Sequence, residues 1–474
     1  MAAATDELSV VNQAGPAGRS AAAHRRWTLV AASLGFAVIQ LDVSVVNVAI
    51  KPIGASLGGG VSALQWVVNA YTVAFAALIL TAGALGDRVG AKRVFAGGFV
   101  LFTAASALCG LAPGLPTLIG ARALQGVGAA VLAPCSLTLI NHAYPQSRDR
   151  VRALGLWAAG ASIALSAGPL IGGVLTDTLG WRAIFFINAP IGAAGIYLTL
   201  RWARETPRSA HRRVDVPGQV AGIVALAALA AATIEGGARG FGAWPVLAGY
   251  GVAVLSAVAF VAIEARRAHP MLPLRLFRSP AFSAATAVGL LVNVAFYGLI
   301  FVLSLYFQRQ QQLSPLQTGL AFAPMTAAIM AANILSGRLA RRLPPAWIIG
   351  GGSALMAAGY TSLLGIQAGT VYPALAGSLV ACGFGIGVLV PAMTSALLGS
   401  AEPSRSGVAS GTLNSARQTG SVIGVALFGS LIAGRLVPGL HVALAIAVTL
   451  CAAAAVCALA VRAGRGNPPG EDGR

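Results

Sequence analysis

Gly83-Ala-Leu-Gly-Asp-Arg-Val89 returns in altered form as Gly337-Arg-Leu-Ala-Arg-Arg-Leu343, 254 residues further along the chain. Two more stretches repeat in the same order. Gly126-Val-Gly-Ala-Ala-Val-Leu-Ala-Pro134 matches Gly383-Phe-Gly-Ile-Gly-Val-Leu-Val-Pro391 at an offset of 257. Gly155, Ala164, Gly168 and Gly172 match Gly407, Ala416, Gly420 and Gly424 at an offset of 252. Chance can produce any one of these in a Gly- and Ala-rich chain. Three at a common spacing and in one order mark an internal duplication, with a spacer between the copies.

The repeats lie in and beside long apolar runs. Of 474 residues, 57% are apolar and 9% charged, and mean hydropathy is +0.79. A soluble domain would carry about 25% charged residues, so this chain faces lipid. A spanning helix needs about 20 apolar residues. Such runs lie near 27–50, 63–86, 94–112, 115–140, 151–175, 181–200, 216–235, 244–263, 281–306, 315–336, 346–366, 371–398, 406–433 and 441–461, fourteen in all. An even number puts both termini on one side. With that side in the cytoplasm, Lys51, Arg182, Arg239, Arg309 and Arg435 fall outside, Arg122 and Arg417 fall within spans, and the remaining 25 of 32 basic residues fall inside. That is the asymmetry expected of an inner-membrane protein. The net charge of +19 would suggest nucleic acid in a soluble protein. Here the charges sit in short loops between spans, which argues against that partner. Cys109, Cys135, Cys382, Cys451 and Cys457 all fall in apolar runs without a CxxC spacing, so neither metal nor disulfide is indicated. The run after Arg26 is too long for a signal-peptide core and reads as a retained first helix.

The expected organisation is a cytoplasmic tail over 1–26, a six-helix bundle over 27–200, a linker with two inserted helices over 201–280, a second six-helix bundle over 281–462, and a tail over 463–474. Two such halves can rock about a midplane site and open it to one side at a time.

Four features carry mechanism. In the loop Gly83–Arg93, Asp87 lies among Arg88, Lys92 and Arg93, and Gly90 permits a tight bend. Such a charge cluster can latch the halves on one face; the plainer reading is a positive-inside loop. The second copy has Arg341 in place of Asp87, so any latch there differs. In the fifth run, Gly160, Ala164, Gly168 and Gly172 recur every four residues and, with Gly173, make a smooth face for close helix packing, with Pro169 a potential kink. In the first run, Asp42 is the one acidic residue deep in a span. A mid-membrane Asp costs about 2.5–3.5 kcal/mol on insertion scales. Desolvation favours a protonated carboxyl and a neighbouring cation an ionised one; balanced between them, a carboxyl can load and unload a proton in one cycle. At 1.5 Å per residue, Asp42 and Arg122 lie about 12 and about 10 Å from the outer ends of their helices, matching depths at which Arg122 could sense or set the carboxyl's protonation. A structural Asp42, or an Arg122 bonded only to backbone carbonyls, stays open. Asn47, Gln125, Asn293, Tyr297, Asn414, Arg417 and Gln418 are candidates for contact with a substrate cavity.

No GxxxxGK[ST] motif supplies a nucleotide site. The histidines His24, His142, His211, His269 and His441 lie in loops or at helix ends, and Asp42 has no acidic partner, which argues against a membrane enzyme.

Together with Trp181-Arg-Ala-Ile-Phe-Phe-Ile-Asn-Ala-Pro-Ile-Gly192, these stretches resemble the major facilitator superfamily, from about residue 27 to 462. Gly83–Arg93 resembles its signature loop. Gly155–Gly173 resembles the antiporter motif of drug exporters, with Ala164 where that motif usually has Gly. The whole is similar to the fourteen-helix drug:proton antiporters, the branch that includes methylenomycin-resistance exporters. The resemblance implies an all-α major facilitator fold and export of drugs or antibiotics against inward proton flow. It implies no cofactor beyond the proton gradient, and a monomer whose partners are its small-molecule substrate, protons and the bilayer. A proton-coupled importer of a metabolite is the alternative.

Overall fold

The computed structural model describes residues 16–208, 215–267, 270–400, 402 and 406–463. Residues 1–15 and 464–474 of the expected tails, and Arg212, Arg213 and Arg405 of the expected inner loops, lie outside them.

The described residues form fourteen long helices: α1 Pro16–Leu57, α2 Val61–Val89, α3 Ala91–Gly110, α4 Leu115–Ala143, α5 Ser147–Leu179, α6 Ala183–Trp202, α7 Val216–Arg239, α8 Trp244–Arg266, α9 Pro280–Leu305, α10 Pro315–Leu339, α11 Pro345–Leu363, α12 Tyr372–Gly399, α13 Ser406–Leu431 and α14 Leu436–Ala463. Each corresponds in order to one of the apolar runs. α1 starts before its run, because the Ala-rich stretch around Ala21-Ala22-Ala23 favours helix without being membrane-long. Prolines in the first turn open α4 and α7 through α12, where the missing N–H has no intrahelical partner to lose. α5 continues through Pro169 as one helix.

Twelve of the fourteen are long and apolar enough to cross a membrane on those measures alone; α11 and α13 are not among them. α11 is short, 19 residues, and holds Gly350-Gly351-Gly352. α13 carries Asn414, Arg417 and Gln418. α11 packs on α12 and α14 with one face and is exposed along the other, where Trp347 stands, while α13 packs on α9 and α2. Polar groups turned toward protein do not meet lipid.

The duplication is visible in the packing. α1 packs on α5 as α9 does on α13; α2 on α4 as α10 does on α12; α3 on α4 as α11 does on α12. Between the halves, α5 meets α10 and α13 meets α2, again as a symmetric pair. α7 leans on α2 and α13 from outside, and α8 packs on α7. Gln219 of α7 donates to the Ala77 carbonyl of α2 at 2.9 Å and also pairs with Thr81.

The halves are tied most densely on the face away from the termini. Ser304 donates to the Asn47 carbonyl at 2.5 Å, Gln308 to the Val48 carbonyl at 3.0 Å, and Lys51 to the Gln308 carbonyl at 2.5 Å. Gln65 of α2 donates to the carbonyls of Val425 and Ala426 on α13 at 2.8 and 2.7 Å. Asp177 at the end of α5 accepts from Ser314 Oγ at 2.7 Å and from the Leu316 N–H at 3.1 Å, so it caps the first turn of α10 in the opposite half. Gln308 and Lys51 meet at a π-helical turn, Tyr306–Gln310, which ends α9.

Candidate functional site

Asp42 of α1 and Arg122 of α4 meet in the middle of the first half. Arg122 Nη1 lies 2.5 Å from Asp42 Oδ2, and the two residues are 0% and 1% exposed. Asp42 Oδ1 accepts from Gln125 Nε2 at 2.7 Å and from Asn188 Nδ2 at 3.2 Å. The guanidinium also donates to Gln125 Oε1 at 2.7 Å and to the Val67 carbonyl of α2 at 3.1 Å, and lies over the Tyr71 ring at 4.3 Å. Ser106 of α3 accepts from Gln125 and Asn188, at 3.2 and 2.9 Å, and donates to the Phe185 carbonyl at 2.8 Å. Phe185 and Asn188 of α6 are three residues apart and so share the helix face that meets the ion pair. Five helices therefore contribute polar groups to one charge pair. A buried pair is tolerable when its remaining lone pairs and protons are satisfied, and here nearly all are. The Tyr71 hydroxyl and Asn188 Oδ1 are buried without a hydrogen-bond partner among the described residues.

Residue pattern alone brought Asp42 and Arg122 to one depth; the structure puts them in contact. Asn188, Ser106 and Tyr71 were not singled out. The signal for Asn188 was present, as an amide inside the quoted Trp181–Gly192 stretch. Gln125 belongs to this network, fully buried, and does not line the cavity.

The glycine face of α5 splits between two partners. A Cβ on Gly168 would collide with Ser44 Oγ of α1, and one on Gly172 would lie 2.9 Å from the Val45 carbonyl oxygen and 2.7 Å from Val48. A Cβ on Gly173 would stand 2.8 Å from the Leu316 Cα on α10, in the other half. Gly319 of α10 in turn lies against the Pro169 carbonyl. Gly160 is less crowded, with Ser33 at 3.9 Å. α5 is thus clamped between α1 and α10 along Gly168–Gly173.

At the Gly83–Arg93 loop, Gly90 has φ +111°, and a Cβ there would lie 2.6 Å from the Glu205 carboxyl carbon. Glu205, on the segment after α6, accepts from the Lys92 N–H at 3.0 Å and pairs with Arg93 Nε at 3.6 Å; Thr206 Oγ1 accepts from the Ala91 N–H at 2.9 Å. Lys92 Nζ donates to the Leu200 carbonyl at 2.9 Å. Lys92 and Arg93 therefore engage the end of α6 and the segment after it, and the acidic partner of Arg93 is a residue the sequence reading passed over. A carboxylate at the first turn of α3 also meets the positive end of the helix dipole. Glu205→Ala is expected to remove about 1–2 kcal/mol of capping and lower the unfolding midpoint of the purified protein in detergent. An unchanged midpoint would show that water caps α3 equally well.

A cavity lies between the halves, lined from α1 by Val43, Ser44, Asn47 and Val48, from α5 by Leu165 and Pro169, from α9 by Phe296, Tyr297 and Ile300, and from α10 by Phe322, Met325, Thr326 and Ile329. Asn47 and Tyr297 thus stand in it. Asn293 does not: it is buried in the α9–α13 seam against Gly420, donating to the Gly289 carbonyl at 2.7 Å. Asn414 donates to the Ser410 carbonyl of its own helix at 3.1 Å; Arg417 and Gln418 are half-buried on α13.

Two pseudo-symmetric six-helix bundles around a central cavity, with a sealed ion pair in one of them, define a membrane transporter rather than an enzyme. A profile of the Major Facilitator Superfamily matches residues 32–425, and the chain belongs to that superfamily. It is 41% identical over 401 residues to the methylenomycin A resistance protein of Streptomyces coelicolor, covering 85% of this chain and 84% of that one. It is 36% identical over 409 residues to the multidrug resistance protein Stp of Mycobacterium tuberculosis, covering 86% and 76%. Among solved structures, a bacterial homologue of the human lysosomal transporter Spinster, inward-facing and unoccupied, matches with a TM-score of 0.65 at 18% identity over 94% of this chain and 99% of that one, a likeness of fold.

Proposed function

We propose that this chain exports small organic molecules, drugs or antibiotics, from the cytoplasm across the inner membrane in exchange for protons, as a monomer without a cofactor and with both termini cytoplasmic. The observation that carries it is Asp42, a carboxyl wholly enclosed in the membrane-spanning part and held by Arg122, Gln125 and Asn188. A purely structural ion pair needs no unsatisfied acceptor beside it. A titrating one does, because a protonated carboxyl donates. Asn188 Oδ1, which accepts nothing here, can receive that O–H after rotation of the amide. Protonation of Asp42 also leaves Arg122 without its counter-charge, and the cost of a lone buried cation favours rearrangement. The nearby α1–α5 seam, where Ser44 lies two residues from Asp42 and against Gly168, links that rearrangement to the α5–α10 contact between halves. The resistance proteins among the relatives support the outward direction and the kind of substrate.

In a pump-deficient bacterial host, expression is expected to raise the inhibitory concentration of at least one amphipathic antibiotic severalfold. An uncoupler should erase the difference. Resistance that persists without a proton gradient would sink the proton-driven reading.

A further inference from the structure

The charge balance of the interior is uneven. Asp42 and Arg122 cancel each other, and both carboxylate oxygens are already occupied by donors. Arg417, in the middle of α13, has no such partner. No carboxylate among the described residues lies within ion-pair distance of it, its Nε is buried without a hydrogen bond, and no bond from the rest of its guanidinium to a described residue exists. The helix is not turned to lipid at this level. On one side Leu413 and the Arg417 stem crowd Gly289 of α9, and on another Ser415 donates to the Ala76 carbonyl of α2 at 3.2 Å, so α13 is wedged between the halves. The Arg417 stem lies against Gly289 of α9, about two helical turns from Tyr297 on that same helix; Tyr297 lines the cavity and makes no hydrogen bond to a described residue. A cation on α13 and a phenol on the facing helix α9 are therefore both unmet, and the phenol stands in an apolar cavity walled by Phe296, Ile300, Phe322 and Met325. No free carboxylate among the described residues lines that cavity to attract a cation.

We infer that the cavity selects amphipathic anions, with Arg417 binding the substrate's carboxylate or equivalent monoanionic group, Tyr297 donating a second hydrogen bond, and the apolar walls holding the rest. This rests on the exporter reading and narrows its substrate class. A cation half-buried in a span without a counter-ion is costly, and such a residue marks a functional site by default. A bound anion supplies the missing charge, and a charge-assisted hydrogen bond is among the stronger single contacts available. A neutral ligand leaves the guanidinium unpaired, and a cation is repelled by it.

Three probes with one fluorophore decide the matter: 11-(dansylamino)undecanoic acid, its methyl ester, and a dansyl amine of matched length. Each is titrated by fluorescence against the purified full-length protein in nanodiscs. The carboxylate is expected to bind more tightly than the ester by about tenfold or more, the value of one charged hydrogen bond. Arg417→Gln should collapse that ratio toward unity, and Arg417→Lys should keep most of it, since the charge remains. A merely structural arginine would weaken acid and ester alike and leave the ratio unchanged, which overturns the proposal. Equal binding by the wild type, preference for the amine, or no binding of any probe overturns it too. The uncoupler experiment in cells is read separately, so the anion site can fail while proton-driven export stands.

Discussion

Asp42→Asn is expected to reduce proton-driven efflux in vesicles to the level of vesicles lacking the protein, while the variant still reaches the membrane. Asn keeps the shape and one acceptor oxygen, so the bonds from Arg122 and Gln125 can persist in part. What it loses is the capacity to carry a proton. The substitution also strands Arg122 in a site where it is 1% exposed, and removing one partner of a buried pair typically costs about 3–5 kcal/mol. A loss of activity could then be a loss of fold. The double variant Asp42→Asn/Arg122→Gln separates the two: it removes both charges, should recover the thermal stability lost by the single variant, and should remain inactive. Proton-driven efflux at the wild-type rate in either variant would take Asp42 out of the mechanism. Arg122→Ala completes the set. A carboxylate stranded in that site is neutralised by binding a proton, so the variant should lose the dependence of efflux on pH.

Gly172→Val should abolish transport by a different route. The added Cβ alone would lie 2.9 Å from the Val45 carbonyl oxygen and 3.0 Å from its Cα, backbone atoms that cannot rotate away. Overpacking of this kind costs about 1–3 kcal/mol even where the surroundings relax, and here relaxation means parting α1 from α5. That displacement moves the other side of α5, where Gly173 and Pro169 touch α10, and so strains the seam on which the halves must rock. Gly160→Ala is the control, since its Cβ would meet only Ser33 at 3.9 Å. Substrate uptake into inverted vesicles with matched protein amounts should be near wild type for Gly160→Ala and absent for Gly172→Val. Equal activities would mean that the small-residue face does not gate the cycle.

The difference between those two glycines shows where sequence reading stops. Both stand in one motif, four-residue steps apart on one helix face. Only the structure reveals that the Gly168–Gly173 part of that face is pressed between two helices of opposite halves while Gly160 has room. Gln125 and Asn293 make the same point. As polar residues in spans they were reasonable cavity candidates, yet helix rotation turns one into the charge network and the other into a seam. Glu205 escaped notice because it lies in a loop, where a carboxylate looks ordinary until the chain folds it onto the start of α3. Asn188 was within a quoted stretch, but nothing local announces that its amide will reach a carboxylate 146 residues earlier.

From the chain alone came the number of helices, the duplication into two sixes with an inserted pair, and the few charges placed in hydrocarbon. These are properties of single spans: in lipid each helix must satisfy its own backbone hydrogen bonds, so its existence is written in its own twenty or so residues. The folded molecule decided which side chains meet. Arg122 reaches Asp42 across 80 residues of sequence, Arg417 is left without a carboxylate among the described residues, and α5 divides its glycines between two neighbours. Those outcomes depend on how each helix is rotated and how closely it approaches the next. Packing among lipid-embedded helices is governed by surface shape and by polar groups finding one another, and that information is shared among helices rather than carried by any one of them.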